Sequence, residues 1–344
     1  MKNNETVLVT GGTGFIGIYC ILQLLQKEYK VRTTLRKISK KSDVIQMLNK
    51  GGITNTNNLE FIEADLANDD NWDEAVKGCD YVLHVASPFP ITEPKNPDEI
   101  IIPAKEGTLR VLKAARDAKV KRVVLTSSFA AIGYSIETKN HIFTEEDWTD
   151  PNANITAYIK SKTLAEKAAW EFINNEGGDL ELSVINPVAV LGPILGGKLS
   201  TSIQMVEQLM SAKMPAIPKI NFGIVDVRDV ADIHIRAMTS PGAKWQRFLA
   251  VSDNGTLSLP EMADILRVQP NKYAGKVPKR IMPDWLVKFA ARFKPELKPI
   301  ASQVNKAKDM SNKKAREVLN WQPRNKEIAI ADTAESLIQL GIVK

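Results

Sequence analysis

At 344 residues the chain exceeds one small domain, and roughly 150 residues per domain predicts about two. Hydrophobic residues make up 44% and charged residues 25%, a globular balance too apolar for intrinsic disorder, and no run of about 18 apolar residues is available to span a membrane. The net charge of +6 is uneven: residues 270–326 hold 15 Lys and Arg against 4 Asp and Glu. A basic region of this kind could attract anionic ligands, while a solvated lysine-rich surface is the plainer reading, and no nucleic-acid or membrane partner is expected.

In chain order, short apolar runs at 6–10, 30–35, 59–63, 81–85, 122–126 and 182–186 predict strands buried on both faces. Longer amphipathic patterns at 16–26, 99–118 and 155–174 predict helices between them, the alternation of a parallel sheet wrapped by helices. The N-terminus enters its first strand within a few residues and lacks a signal-peptide core, which leads to the expectation of a cytoplasmic protein. Two cysteines, Cys20 and Cys79, and three histidines, His84, His141 and His234, are too few for a disulfide framework or a zinc cluster.

Thr10-Gly11-Gly12-Thr13-Gly14-Phe15-Ile16-Gly17 follows the first strand and opens the first helix. Gly11, Gly14 and Gly17 fit a tight turn, a close backbone approach to a pyrophosphate, and close helix–strand packing, with helix N-terminal amides facing the anion. The second strand ends in Arg36 rather than in the Asp or Glu that would favour NAD, and Lys37, Lys40 and Lys41 follow. A guanidinium there suits a 2′-phosphate, while a surface basic cluster is the plainer alternative.

Further along, Thr126-Ser127-Ser128 ends the fifth strand, where open α/β sheets place ligand groups; a serine capping the next turn is the alternative. Tyr158 and Lys162 stand at i and i+4 on one face of the predicted helix. A lysine beside a tyrosine favours the phenolate and would tune the phenol for proton transfer near neutrality. After Asn186 the text is broken by Pro187, Gly192, Pro193, Gly196 and Gly197, then gives a strand at 223–227, a helix at 228–238 and a strand at 247–251. Ile281, Trp285, Phe289 and Phe293 form a helical stripe, read as core of a C-terminal lobe or, less simply, as a cleft wall.

As an ordered set these residues resemble the extended short-chain dehydrogenase/reductase superfamily, within it the branch of dihydroflavonol reductases, cinnamoyl-CoA reductases and microbial aldehyde or ketone reductases. The resemblance also runs through Asp65-Leu66, His84-Val85-Ala86-Ser87-Pro88, Asn186-Pro187 and Val225-Asp226-Val227-Arg228-Asp229-Val230-Ala231. It implies an α/β fold, a Rossmann-type doubly wound parallel sheet with a smaller, discontinuous C-terminal substrate lobe. The expected nucleotide-binding domain is 1–186 plus about 223–255, and the expected lobe about 187–222 and 256–344. It further implies NADP(H) as cofactor, with Gly11, Thr13, Gly14, Phe15, Ile16, Gly17, Arg36, Lys40, Asp65, Leu66, Val85, Ala86, Ser87, Thr126, Tyr158, Lys162, Pro187, Val190 and Ser202 in contact with it.

Ser128, Tyr158 and Lys162 would be the catalytic triad, for reduction of an aldehyde or ketone to an alcohol. Tyr158 would protonate the oxygen, Ser128 would hydrogen-bond it, and Lys162 would hold the nicotinamide ribose and lower the tyrosine pKa. An NAD-dependent nucleotide-sugar epimerase or dehydratase and a non-catalytic NADP-sensing protein are the alternatives; Arg36 argues against the first and the intact triad against the second. Two positions depart from the plant dihydroflavonol reductases: Gly133 stands where they place a substrate-binding Asn, and Gly223 or a neighbour where they place a Gln. A smaller or less polar carbonyl substrate, acted on by a monomer or homodimer, is therefore expected.

Overall fold

The computed structural model describes residues 4–88, 96–136, 140–293, 301, 303, 304, 306 and 308–343. Its strands are β1 (Thr6–Val9), β2 (Lys30–Leu35), β3 (Leu59–Glu63), β4 (Tyr81–His84), β5 (Arg122–Thr126), β6 (Ile142–Phe143), β7 (Glu181–Pro187), β8 (Ala189–Leu191), β9 (Ile217–Pro218), β10 (Asn221–Asp226), β11 (Gln246–Ala250), β12 (Thr256–Ser258), β13 (Ile281–Met282) and β14 (Asp309–Met310). Seven of them form a parallel sheet in the order β11-β7-β5-β4-β1-β2-β3. The chain order reverses between β1 and β4, which opens the crevice where such sheets bind ligands.

Side-chain alternation along the strands makes two cores. Val7 and Val9 of β1, with Val124, Ile185 and Phe248, pack under helices α1 (Phe15–Gln26) and, further along the chain, Val227–Thr239. Leu8, Val82, Val123 and Val184 face the opposite side. There they meet the long helix Asp98–Asp117 and the helix Ala157–Glu176. The predicted strands and helices of the first half appear within two residues of their expected bounds. The helix at 157 starts two residues later than its apolar pattern because Thr156 caps it, its Oγ1 accepting from Ile159 N–H at 3.3 Å.

A smaller three-stranded sheet, β12-β10-β8, carries the lobe, with a core of Leu191, Ile203, Val206, Ile224, Leu257, Met262, Ile330 and Leu337. The strand expected at 223–227 is β10, and it pairs with β8 and β12 rather than with the large sheet. The chain returns to the large sheet only after Asp226, through the helix Val227–Thr239 and β11. The helix Lys313–Leu319 and the fully buried Trp321 also join the core under α1, although 256–344 was expected to lie in the lobe. Trp321 Nε1 donates to Asp229 O at 3.0 Å, which anchors that return.

The aromatic stripe is not core. Trp285 is 68% exposed, Phe289 49% and Phe293 72%, and it is Val287 on the same short helix that is buried. Only Trp285 and Phe289 lie on that helix, Asp284–Ala290; Ile281 falls in β13 and Phe293 follows the helix, so the expected four-residue helical stripe does not form.

Candidate active site

The glycine loop is built as a cradle. Gly12 lies so close to β2 that a Cβ there would sit 2.4 Å from Thr33 Oγ1, and one on Gly17 would sit 2.4 Å from Gly11 O. Gly11 has φ +76°, the left-handed region, and turns the chain against Ala86. Gly14 occupies the N-cap of α1 without a side-chain cap, and the first turn holds no acidic residue. The amides of Phe15, Ile16 and Gly17 therefore open the helix toward an anion.

Thr10 ties the two sides of the crevice together. Its Oγ1 accepts from Val85 N–H and Ala86 N–H at 3.0 and 2.9 Å and lies 2.9 Å from His84 Nδ1. With both lone pairs engaged, the hydroxyl proton goes to Nδ1. Val85, Ala86 and Ser87 are thereby fixed beside the cradle.

Arg36 is exposed at the end of β2 and makes no hydrogen bond or ion pair among the described residues. Lys40 instead pairs with Asp43 at 2.9 Å, and Lys41 lies over the Phe61 ring at 5.2 Å. Asp65 turns the chain after β3, its Oδ1 accepting from Ala67 N–H at 3.1 Å, while Leu66 packs against Gly107. Two expected contacts have hydroxyls committed inside the fold. Thr126 Oγ1 bonds His234 Nε2 at 2.7 Å, and Ser202 Oγ donates to Val190 O at 2.6 Å.

Ser128, Tyr158 and Lys162 converge at the C-terminal edge of β5. Ser128 Oγ accepts from Ala130 N–H at 3.1 Å, capping the turn that follows, and also hydrogen-bonds Tyr158. Burial raises the Tyr158 phenol above its ordinary value and the Ser128 bond opposes that rise. Lys162 is buried, and its ammonium has no hydrogen bond among the described residues. Burial pushes it down to about 8, against the pull of Glu166. On the far side it repels protonation of His84, which burial already holds down to about 3.

Glu166, one turn beyond Lys162, escaped the sequence reading. Its carboxylate is fully buried and gathers three strand ends: Ser127 Oγ donates at 2.5 Å, Asn186 Nδ2 at 2.7 Å and Arg247 Nε at 2.6 Å. Arg247 in turn stacks on Trp148, with its guanidinium carbon 3.7 Å from the ring centroid. The signal in the sequence was the continued fourfold spacing 158, 162, 166, on to Trp170, whose Nε1 donates to Glu166 at 3.3 Å; its other partners lie 20 to 81 residues away.

The two glycine departures have no room for side chains. A Cβ on Gly133 would sit 2.4 Å from Phe129 Cζ, and one on Gly223 would sit 2.8 Å from Met310 Sδ and 2.9 Å from Val188 Cγ1. Among the described residues no helix is long and apolar enough to cross a membrane, and no cluster of three His, Cys, Asp or Glu could hold a metal ion.

The chain has counterparts among known proteins. Residues 8–244 match the 3-beta hydroxysteroid dehydrogenase/isomerase family. The chain belongs to that family, a branch of the extended short-chain dehydrogenases/reductases. It is 36% identical over 253 residues to a cinnamoyl-CoA reductase of Medicago truncatula, covering 71% of this chain and 76% of that one. An anthocyanidin reductase of Vitis vinifera is 33% identical, over 80% and 83% of the two chains. The crystal structure of yeast methylglyoxal/isovaleraldehyde reductase Gre2 complexed with NADPH superposes with a TM-score of 0.81 at 28% identity, covering 99% of this chain and all of that one.

Proposed function

We propose that this family member reduces an aldehyde or ketone to an alcohol with NADPH, using Ser128, Tyr158 and Lys162. The observation that carries the reading is the hydrogen-bonded Ser128–Tyr158 pair, with Lys162 one helical turn from Tyr158 and its ammonium without a hydrogen bond among the described residues. The relatives named as reductases and the NADPH-bound neighbour support it.

The cradle fits a dinucleotide because glycines keep it free of Cβ atoms and α1 presents open amides. Phe15, Ile16 and Gly17 would hold the pyrophosphate, Arg36 the 2′-phosphate, Asp65 and Leu66 the adenine side, and Pro187 and Val190 the nicotinamide side. When bound, NADPH supplies the hydride for the carbonyl carbon. Ser128 hydrogen-bonds the carbonyl oxygen and fixes its position. Tyr158 gives that oxygen a proton as charge builds on it. The phenolate left behind is stabilised by Lys162, which at about 8 is mostly charged at neutral pH. The reading carries the expectation of a cytoplasmic enzyme with a freely diffusing substrate.

The experiment is steady-state NADPH consumption with a panel of aldehydes and ketones, run in parallel with NADH. Turnover with NADPH that stops in Tyr158→Phe supports the assignment. Tight cofactor binding without consumption for any carbonyl overturns it.

A further inference from the structure

A second buried ammonium, which the mechanism above does not use, lies against two aromatic rings. Lys308 is only 5% exposed, and among the described residues its amine makes no hydrogen bond and no ion pair. Instead it lies 3.4 Å from the centroid of the Tyr134 ring and 5.6 Å from that of Phe129. Phe129 directly follows Ser128, and Tyr134 is close enough to Tyr158 for the two phenols to act on each other electrostatically.

The backbone around Lys308 is pinned from both sides of the cleft. Thr256 Oγ1, on the lobe sheet, donates to Lys308 O at 3.0 Å. The next two residues, β14, pair with β6 on the nucleotide-binding side, and Met310 packs into the space over Gly223 and Val188. This bridge holds the ammonium at the junction of the two units, against Tyr134 and against Phe129, the residue after Ser128.

An unpaired buried charge is costly, and two aromatic faces recover only part of its lost hydration. Burial and the neighbouring Lys306 push this amine down to about 7. A bound anion would complete the arrangement. We propose that Lys308 is a specificity-determining residue that receives the carboxylate of an oxo-acid substrate while its carbonyl lies against Ser128 and Tyr158. The inference rests on the reductase reading and narrows it to carbonyl compounds with an anionic end.

The test compares a short oxo acid with its methyl ester, in wild type, Lys308→Met and Lys308→Arg. A charge-assisted contact of about 1.5–3 kcal/mol corresponds to roughly 10–150-fold. Wild type is expected to favour the acid over the ester in kcat/KM by about 10-fold or more. Lys308→Met should lose that preference, mainly through KM of the acid, with the ester unchanged, and Lys308→Arg should restore part of it. An equal fall for acid and ester, or no acid preference in wild type, would overturn the proposal and leave Lys308 as a structural cation on Tyr134. Calorimetric binding of a saturated short carboxylic acid to wild type and Lys308→Met gives a readout independent of turnover. Binding lost in the variant supports the site, and no binding to wild type overturns it. Absence of NADPH consumption with every carbonyl contradicts the reductase reading instead, and the calorimetry still decides on Lys308.

Discussion

Tyr158 and Arg36 carry the sharpest expectations at the level of single side chains. Tyr158→Phe removes the proposed proton donor and leaves the ring and its packing, so kcat should fall by about 100-fold or more while the NADPH dissociation constant stays within a few fold. Near-normal turnover in that variant would remove Tyr158 from the mechanism. Arg36, at the end of β2, has no hydrogen bond or ion pair among the described residues, whereas Lys40 is paired with Asp43 and Lys41 covers Phe61. Arg36→Ala should therefore weaken NADPH by roughly 10–150-fold, with little effect on NADH. Titration of both cofactors against wild type and variant checks this, and an equal loss for the two would show that Arg36 does not read the 2′-phosphate.

Among the elements, the helix Ala157–Glu176 carries the proposed catalytic residues Tyr158 and Lys162, and through Glu166 it anchors three strand ends. Glu166→Gln leaves Arg247 as a buried charge without its partner, which should cost about 3–5 kcal/mol in denaturant unfolding. The same change withdraws the carboxylate that favours the Lys162 ammonium. The high-pH limb of kcat, expected near 8 in wild type, should then move to lower pH. An unmoved limb in the folded variant would separate Glu166 from the tuning of Lys162. Trp321→Ala should cost about 3–5 kcal/mol, because this residue from near the C-terminus is fully buried under α1.

These elements also show what the sequence carried and what it did not. The strands of the large sheet, the glycine loop and the 158/162 spacing are local patterns with a fixed period, and they appear where the pattern puts them. The pairing of β10 with β8 and β12, the docking of Trp321, and the network around Glu166 depend on partners far away in the chain. No window of sequence contains them. The spacing at 281, 285, 289 and 293 shows the converse: the period is in the sequence, yet only Trp285 and Phe289 share a helix, and both are exposed.

For the whole molecule, acid sensitivity follows from two buried histidines. His84 is held down to about 3 and His234 to about 4, so both stay neutral in the folded state through the physiological range. In the unfolded chain they bind protons near 6.5, so the stability they contribute is present above that pH and is lost as pH falls toward 4 and 3. Together this is on the order of several kcal/mol, and the melting temperature should drop steadily between pH 6.5 and 4. A melting temperature flat across that window would contradict the buried neutral state. The same burial keeps a histidine limb near 6.5 out of the kcat profile.

The central claim is that these residues form a carbonyl-reducing site driven by NADPH. The most direct measurement is product-resolved turnover, following NADPH consumed and alcohol formed in one reaction mixture for wild type and Tyr158→Phe. One alcohol per NADPH in wild type, with at least about a 100-fold loss in the variant, is the predicted result. NADPH that binds without alcohol appearing from any aldehyde or ketone, or alcohol formed at equal rates by both proteins, would contradict it.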